Sequence, residues 1–517
     1  MDRTDRLEPM ELTPPGDDIA ERADAYAAAP LLNCLIREVA RPCPDPDGRR
    51  VYRLPGGGRL LRVGGGRRPV GPEVRTADGW QRIGHTELVK LVAEELRRHT
   101  GLSNDELPAE MIDSRVAVAA LLAARDRAAV PEDPYTRSEQ ALVTGHPYHP
   151  APKARGGGPV ASWLPYAPEA HARFPLVLLA VREDMVAEEG DTSALDALGQ
   201  APPGYRLLPA HPWQLDLTGR DLTGAFADGR LLRLGRTAAE VRPTAAVRTV
   251  QVQVPGADGA DGADGADLFL KFSLDVRITN DVRRLWRHDL LRLRRTDTAA
   301  AAAFAGLGGP AAWLSDRGYR TAAFAFEELA VVVRDGLGRH VLPGATPLLA
   351  AALAEGFDGN PLDGPADPEV WWEAYLRQVV PPALGVFARH GVVLEAHLQN
   401  SLVAVDAAGL PVQALFRDAE GVKLLPDVSR AAGWERLVYC LVVNHLGEIA
   451  AALAERHPGL DPWPAVRREL ARHDLPEIPA LLTSPTLPGK TNLLLRWTGA
   501  DGAAAHYRPL PNPLLGA

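Results

Sequence analysis

Cysteine is scarce. The 517 residues hold three, Cys34, Cys43 and Cys440, at no metal-ligand spacing and forming no even framework. That usage fits a reducing cytoplasm. Long apolar runs are missing as well: none reaches about 18 uninterrupted residues, so no membrane span is expected. The start, Met1-Asp2-Arg3-Thr4-Asp5, has no apolar stretch behind a basic head, so no signal peptide is read. Net positive charge is absent. The formal charge of −9 argues against a nucleic-acid binder, although local basic pockets remain open. Neither glycine cluster, 56–58 or 64–66, has the Gly-x-x-x-x-Gly-Lys-Ser/Thr form, so a P-loop is not supported. No internal repeat of architectural length is found.

What remains is an ordinary globular composition, 46% hydrophobic and 24% charged, in a chain long enough for two or three cores. In the first third, Leu31–Val39 reads as a short helix with Pro30 at its start. Short strands such as Leu60–Val63 follow, then an amphipathic helix at Thr86–His99 and an Ala-rich one at Asp113–Ala129. This third reads as mostly helical and shows no chemistry.

Chemistry begins at Thr144-Gly145-His146-Pro147-Tyr148-His149-Pro150, followed by Lys153, Arg155 and three glycines. The prolines exclude a regular helix, so His146, His149, Lys153 and Arg155 project from an extended or turn segment. Four potential cations ending in glycines read as an anion site, with a solvated basic loop as the equal alternative. Zinc is disfavoured, because no second histidine pair and no cysteine lies at ligand spacing. Phe174–Val181 reads as a buried strand, and Leu207–Gln214 as a strand entering the His211-Pro212 corner.

Arg242–Val254 has strong β-propensity, and Leu268–Thr279 alternates apolar and polar apart from Phe269. The two can pair as a hairpin that offers Arg248 and Lys271 to a common polar face. The Ala-Asp-Gly-rich connection through Asp267 lacks the EF-hand pattern and reads as a solvated tip. Thr279 or Asn280 is expected to cap a helix with Arg283 in its first turn, where a bound phosphate would satisfy both the arginine and the free N–H groups. An exposed arginine on a solvated face is the alternative. Further on, Trp371–Val379, Pro382–Arg389 and Ala432–Ala454 read as helices, and Lys490–Arg496 as a strand flanked by two cations.

The densest signal is at 390–418. Between the apolar runs Val392–Leu394 and Leu402–Val405 lie Glu395, His397, Gln399 and Asn400, four polar groups in six positions. Buried polar groups cost energy unless satisfied. A β-turn at Ala407–Pro411 should bring Asp418 back beside them. Imidazole, amide and carboxylate together suit a nucleotide phosphate and its Mg²⁺. A hydrogen-bonded turn with a satisfied histidine is the plainer alternative.

Taken together, these segments resemble the NRPS-independent siderophore synthetases of the aerobactin-synthetase (IucA/IucC) type. The motifs run in order over residues 138–514: Gly145-His-Pro-x-His-Pro with Lys153 and Arg155; His211-Pro-Trp-Gln214; Pro243-Thr-x-x-x-Arg-Thr249; Lys271 and Ile278-Thr-x-x-x-Arg283; Glu395-x-His-x-Gln-Asn400 with Arg417-Asp418; and Lys490 with Asn512-Pro-Leu. The resemblance implies an α+β cupped hand with a helical thumb (1–133), antiparallel β-rich fingers (134–335) and a helical palm (336–517). It implies an enzyme that uses ATP and Mg²⁺ to adenylate a carboxylate of citrate or a related polycarboxylic acid. An amine or hydroxyl then displaces AMP. By matching position, Arg248, Lys271, Thr279, Arg283, His397, Gln399 and Asn400 would bind ATP, with His397, Lys271 and Arg283 as the catalytic set. Glu395 and Asp418 would serve Mg²⁺, and His146, His149, Lys153 and Arg155 would line the carboxylate side. Small-molecule partners also follow from the resemblance; dimers are common in the family, the oligomeric state stays open, and the cysteine usage points to the cytoplasm.

One position departs from the pattern: Ala246 stands where the family commonly has serine two positions before the Arg-Thr pair. Two rival readings are an aminoglycoside-kinase-like phosphotransferase, echoed by His397-x-x-Asn400 with Asp418, and a non-catalytic relative that binds a carboxylate or siderophore.

Overall fold

The computed structural model describes residues 16–258, 264–364, 367–500 and 507–516. Of the Ala-Asp-Gly connection, 259–263 lie outside these. The chain opens on α1 (Asp17–Glu38), a helix that runs straight through Pro30. Helix-breaking by an interior proline costs about 3 kcal/mol. Here Leu31, Leu32, Cys34 and Leu35 are fully buried, and that burial outweighs the cost. A five-stranded antiparallel meander follows: β1 (Arg41–Cys43), β2 (Arg50–Arg53), β3 (Leu60–Gly64), β4 (Val70–Thr76) and β5 (Gly79–Arg82). The first third is therefore less helical than its sequence suggests. Helices α2 (His85–Thr100) and α3 (Glu106–Arg125) complete it, α2 burying Leu88, Val89, Leu91, Val92 and Leu96.

After the short α4 (Pro134–Glu139), the middle of the chain is β-rich. Its strands are β6 (Val177–Arg182), β7 (Val186–Gly190), β8 (Tyr205–Ala210), β9 (Leu231–Arg236), β10 (Arg242–Pro243), β11 (Thr249–Asp258), β12 (Asp264–Phe272), β13 (Arg277–Ile278), β14 (Asp281–Val282), β15 (Ala312–Leu314), β16 (Asp316–Ala322) and β17 (Val331–Asp335); α5 (Arg287–Ala305) lies between β14 and β15. One sheet has the order β8-β6-β9 and the larger one β10-β11-β12-β17-β16-β7, antiparallel throughout. The expected hairpin is β11–β12, with Thr249 opposite Lys271. Arg283 follows the small β13–β14 hairpin, and the helix begins only at Arg287. The expected cap of that helix, Thr279, instead turns the β13–β14 hairpin with φ +62°.

The last part contains β18 (Thr346–Leu349), α6 (Pro368–His390), β19 (Val392–Val393), β20 (Ser401–Val405), β21 (Pro411–Arg417), β22 (Lys423–Leu424), α7 (Arg430–Arg456), β23 (Thr486–Lys490), α8 (Asn492–Trp497) and β24 (Tyr507–Pro511). Its main sheet, β15-β21-β20-β18, includes one parallel pair, β15–β21. The two expected helices around Pro381-Pro382 are one, α6, capped by Asp367. Helix α7 is long and apolar enough to cross a membrane by length and composition, but 72% of its most apolar window is buried inside the protein. Residues Val438–Leu446 of α7 are wound as a π-helix.

Residues 490–496 are helix rather than strand after Lys490. Glu38 explains this, because its carboxylate accepts hydrogen bonds from the backbone N–H of Leu493 (3.0 Å) and Leu494 (2.8 Å) and so closes the first turn of α8. Leu493 and Trp497 join the core under α1, so the end of the chain packs on its beginning. Mixed helix and antiparallel sheet make this an α+β protein.

Candidate active site

The polar run at 395–400 is a tight turn between β19 and β20, and the β20–β21 hairpin carries Asp418 back to it. Ser401 lies opposite Phe416, and the Arg417 N–H donates to the Asn400 carbonyl at 3.1 Å. The His397 Nδ1 accepts from the Gln399 N–H at 3.2 Å, which in the neutral ring leaves the proton on Nε2. Burial favours that neutral form. Asn400 Nδ2 donates to the Glu395 carbonyl (3.3 Å), and the Glu395 carboxylate accepts from Arg436 of α7 (2.8 Å). A Cβ on Gly421 would lie 2.3 Å from Glu395 Oε2, so Glu395 rests on the backbone beside Glu420. The Gln399 side chain is not engaged in this network; its carbonyl holds Arg417 (2.9 Å). Arg417 is buried and bound to Glu139 of α4 at 2.6 Å, which makes it a tie between chain segments.

Facing this turn is the cationic edge of the large sheet. The Lys271 ammonium, 4% exposed, hydrogen-bonds to Asp418 and to Glu420 (2.7 Å). Arg248 reaches the same Glu420 at 3.2 Å and donates to the Arg283 carbonyl at 3.0 Å. Arg283 donates to Thr279 Oγ1 at 2.6 Å and to the Ile278 carbonyl at 2.7 Å, and it has no carboxylate partner among the described residues. Burial first, then the neighbouring Arg248, pull its pKa down. Burial alone would raise the Asp418 carboxyl, yet Lys271 and Arg334 hold it well below the usual carboxylate range. Arg334 (3.0 Å from Asp418) is itself anchored by Asp316 at 2.6 Å.

Backbone strain gathers at the same place. Of the four described non-glycine residues with positive φ, three border these groups: Val247 (+64°) next to Arg248, Thr279 (+62°), and Asp418 (+85°). A β-branched residue in that region is a genuine outlier. Such strain persists where the surrounding structure over-determines it, and it clusters at functional sites.

The segment 144–158 divides. His146 is exposed, with Nδ1 accepting from the Tyr148 N–H at 3.0 Å. The enclosing protein, then the charges of His397, Arg37 and Lys490, push its imidazole down to about 3. His149 is buried, and its Nε2 lies near Asn280 without a hydrogen bond of good geometry; burial and His146 keep it neutral. Lys153 and Arg155 are placed differently from the expectation. Both are buried and bound to Glu169, Arg155 at 3.1 Å. The two share that single carboxylate inside the protein, so of the expected open anion loop only His146 is exposed. A carboxylate partner 14 and 16 residues away carries no local signal. His211 caps a turn, accepting from the Trp213 N–H at 3.2 Å, and packs against Phe174 and Tyr166.

Glu420, Arg334 and Arg37 were not singled out from the sequence. Glu420 stands two residues after Asp418, the one cue available. Among the described residues no group of three or more His, Cys, Asp or Glu is arranged as a ready metal cage. Asp418 and Glu420 are nevertheless paired carboxylates with Glu395 across Gly421, oxygen donors of the kind hard cations take.

The α+β fold is shared with known proteins. The family model described as "IucA / IucC family" matches residues 134–355, and one described as "Ferric iron reductase FhuF-like transporter" matches 369–505. The L-2,3-diaminopropanoate–citrate ligase of Staphylococcus aureus is 29% identical over 74% of this chain and 75% of its own length. The rhizobactin siderophore biosynthesis protein RhbC of Rhizobium meliloti is 28% identical over 96% of this chain and 98% of its own. The ATP-bound aerobactin synthetase IucA from Klebsiella pneumoniae superposes with TM-score 0.79 at 22% identity, covering 95% of this chain and all of that one. Residues 134–355 of the chain thus carry the IucA/IucC family pattern.

Proposed function

We propose that this chain is an ATP-dependent siderophore synthetase that joins citrate, or a related polycarboxylic acid, to an amine or hydroxyl nucleophile. The observation that carries the reading is the pairing of Lys271 and Arg248 with Asp418 and Glu420, with Arg283 behind Arg248, His397 within the field of Asp418, and strained backbone at Val247, Thr279 and Asp418. Support comes from relatives whose names include citrate ligases and from a fold shared with an ATP-bound synthetase.

In this reading the ATP phosphates lie over Lys271, Arg248, Arg283 and Thr279, with His397, Gln399 and Asn400 on the opposite wall. A carboxylate oxygen of the acid attacks the α-phosphorus, the bond to the β-phosphate bridging oxygen breaks, and pyrophosphate leaves. The nucleophile then attacks the acyl carbon, the bond to AMP breaks, and its proton passes to solvent or a carboxylate. Negative charge grows on the α-phosphate during the first step, so preorganised cations stabilise the transition state more than the ground state. Neutral His397, with its proton on Nε2, adds a donor without adding a fixed charge. Mg²⁺, held by Asp418, Glu420 and Glu395, would neutralise the leaving pyrophosphate. The exposed wall at His146 is where the acid would enter, with His149 behind it and the Lys153–Arg155–Glu169 cluster as its rigid support. The cupped-hand division into thumb, fingers and palm belongs to the same proposal.

The test is pyrophosphate release with hydroxylamine as trap across citrate, 2-oxoglutarate, succinate, malate and aspartate. Release with one acid, lost in His397→Ala, supports the reading. ADP in place of AMP would replace it with a phosphotransferase. ATP binding without turnover on any acid would favour a binding protein.

A further inference from the structure

Beside His146 lie two cations that the phosphate site does not use. Arg37, in the last turn of α1, stacks its guanidinium on the Tyr148 ring, 3.2 Å from the centroid. Lys490, at the end of β23, sits 5.4 Å from the Tyr439 ring, which in turn meets Tyr507 at 5.3 Å. Neither side chain has a carboxylate at ion-pair distance among the described residues. Both are half-buried, so their charges are partly shielded from water.

The acids nearby are all engaged elsewhere. Glu38 faces the α8 backbone, Glu448 binds Arg67 (3.1 Å) and turns toward the Tyr148 hydroxyl, and Glu395 binds Arg436. The remaining neighbours are His146 and His397, the latter also close to Lys490. Two aromatic rings thus carry two unneutralised cations beside an exposed imidazole. Arg37 is among the charges that act most on His146, and Asp418 among those that act most on His397. Arg37 lies outside both stretches matched by family models.

Resting on the synthetase reading, we propose that Arg37 and Lys490 form a carboxylate subsite that seats the carboxylate of an amino-acid nucleophile. Charge-assisted pairing with a guanidinium and an ammonium is strong where water is limited. The same two charges repel a polyamine, so the subsite selects a diamino acid over its decarboxylated diamine. A free carboxylate of the acid substrate has the same chemistry and is the other source the experiment must separate.

The measurement uses the full chain with ATP and citrate saturating. The kcat/KM ratio for 2,3-diaminopropanoate over ethylenediamine is determined for the wild type, Arg37→Gln, Arg37→Lys and Lys490→Met. Citrate KM is determined in parallel with hydroxylamine as nucleophile. The expected result is a fall of at least about tenfold in the ratio for Arg37→Gln and Lys490→Met, with Arg37→Lys intermediate. A rise in citrate KM with an unchanged ratio overturns the assignment to the amine and gives the subsite to the acid. No change in either overturns the subsite altogether. A wild type that releases no pyrophosphate with any acid fails before the variants are compared and sinks the synthetase reading together with this inference.

Discussion

Replacing Lys271 by methionine keeps the apolar stem and removes the ammonium. In the folded protein that ammonium bridges Asp418 and Glu420 from a position 4% exposed. Orphaning a buried charge outright costs about 3–5 kcal/mol. Here neither carboxylate is orphaned, because Asp418 keeps Arg334 at 3.0 Å and Glu420 keeps Arg248 at 3.2 Å. The stability cost should therefore be nearer the ~1–3 kcal/mol of a lost hydrogen bond. Catalysis should suffer more. Removing one preorganised donor from a developing oxyanion typically costs about 10²–10³ in kcat, and the same cation offsets two carboxylates that would otherwise repel the phosphates. Acid-dependent pyrophosphate release should fall by that factor, with a raised KM for ATP. The pH dependence gives a second reading. Asp418 is depressed by Lys271 and Arg334 against its burial, so its stabilisation is present above about 3.9, the unfolded carboxyl value, and is lost as pH falls through the folded value. Without Lys271 the depression is smaller, so the stability gap between variant and wild type should narrow below about pH 4. Turnover within tenfold of wild type, or a gap that widens in acid, would refute the assignment of Lys271.

Other consequences concern the frame around the site. Arg417→Met should cost about 3–5 kcal/mol, seen as a lower denaturant midpoint, because it leaves Glu139 buried without its 2.6 Å partner; an unchanged midpoint would deny Arg417 its role as a tie. His445 of α7 is held neutral, with Nε2 2.6 Å from the Tyr375 hydroxyl and Nδ1 2.9 Å from the Ala396 carbonyl, and burial lowers its pKa to about 4. Its contribution is full above its ordinary value and is lost as pH falls toward about 4, a total of about 3 kcal/mol. His445→Gln should flatten that acid loss, and an unaltered pH profile of stability would count against it. Ala246→Ser adds one neutral hydrogen bond, worth roughly 0.5–1.5 kcal/mol. Pyrophosphate release should rise by no more than about tenfold; a rise of several orders would mean that the serine is essential and the native site impaired.

Much of the site was legible because it is local. Polar residues packed between two apolar runs announced 395–400, and the β20–β21 hairpin returned Asp418 as the intervening turn suggests. The alternation of 268–278 announced the strand that carries Lys271, with Thr249 opposite it. What escaped depends on distance in the chain. Glu169 pairs with Lys153 and Arg155 only because the loop folds back onto α3, and nothing in residues 153–155 encodes that. Arg37 looks like any basic residue in the last turn of a helix until β23 brings Lys490 beside His146. Helix and strand were misjudged where tertiary contacts override local preference. Pro30 is tolerated by a buried face, and Leu493–Leu495 are helical because Glu38 caps them. Arg283 was placed in a helix because the turn at Thr279 needs a positive φ that threonine rarely adopts.

The central claim is that a carboxylate oxygen of the acid becomes bonded to the α-phosphorus of ATP. Incubating the protein with ATP, hydroxylamine and citrate labelled with ¹⁸O in its carboxylates, then weighing the nucleotide by mass spectrometry, tests it directly. The account predicts one ¹⁸O in AMP for each hydroxamate formed. Unlabelled AMP, or ¹⁸O in inorganic phosphate alongside ADP, would contradict it.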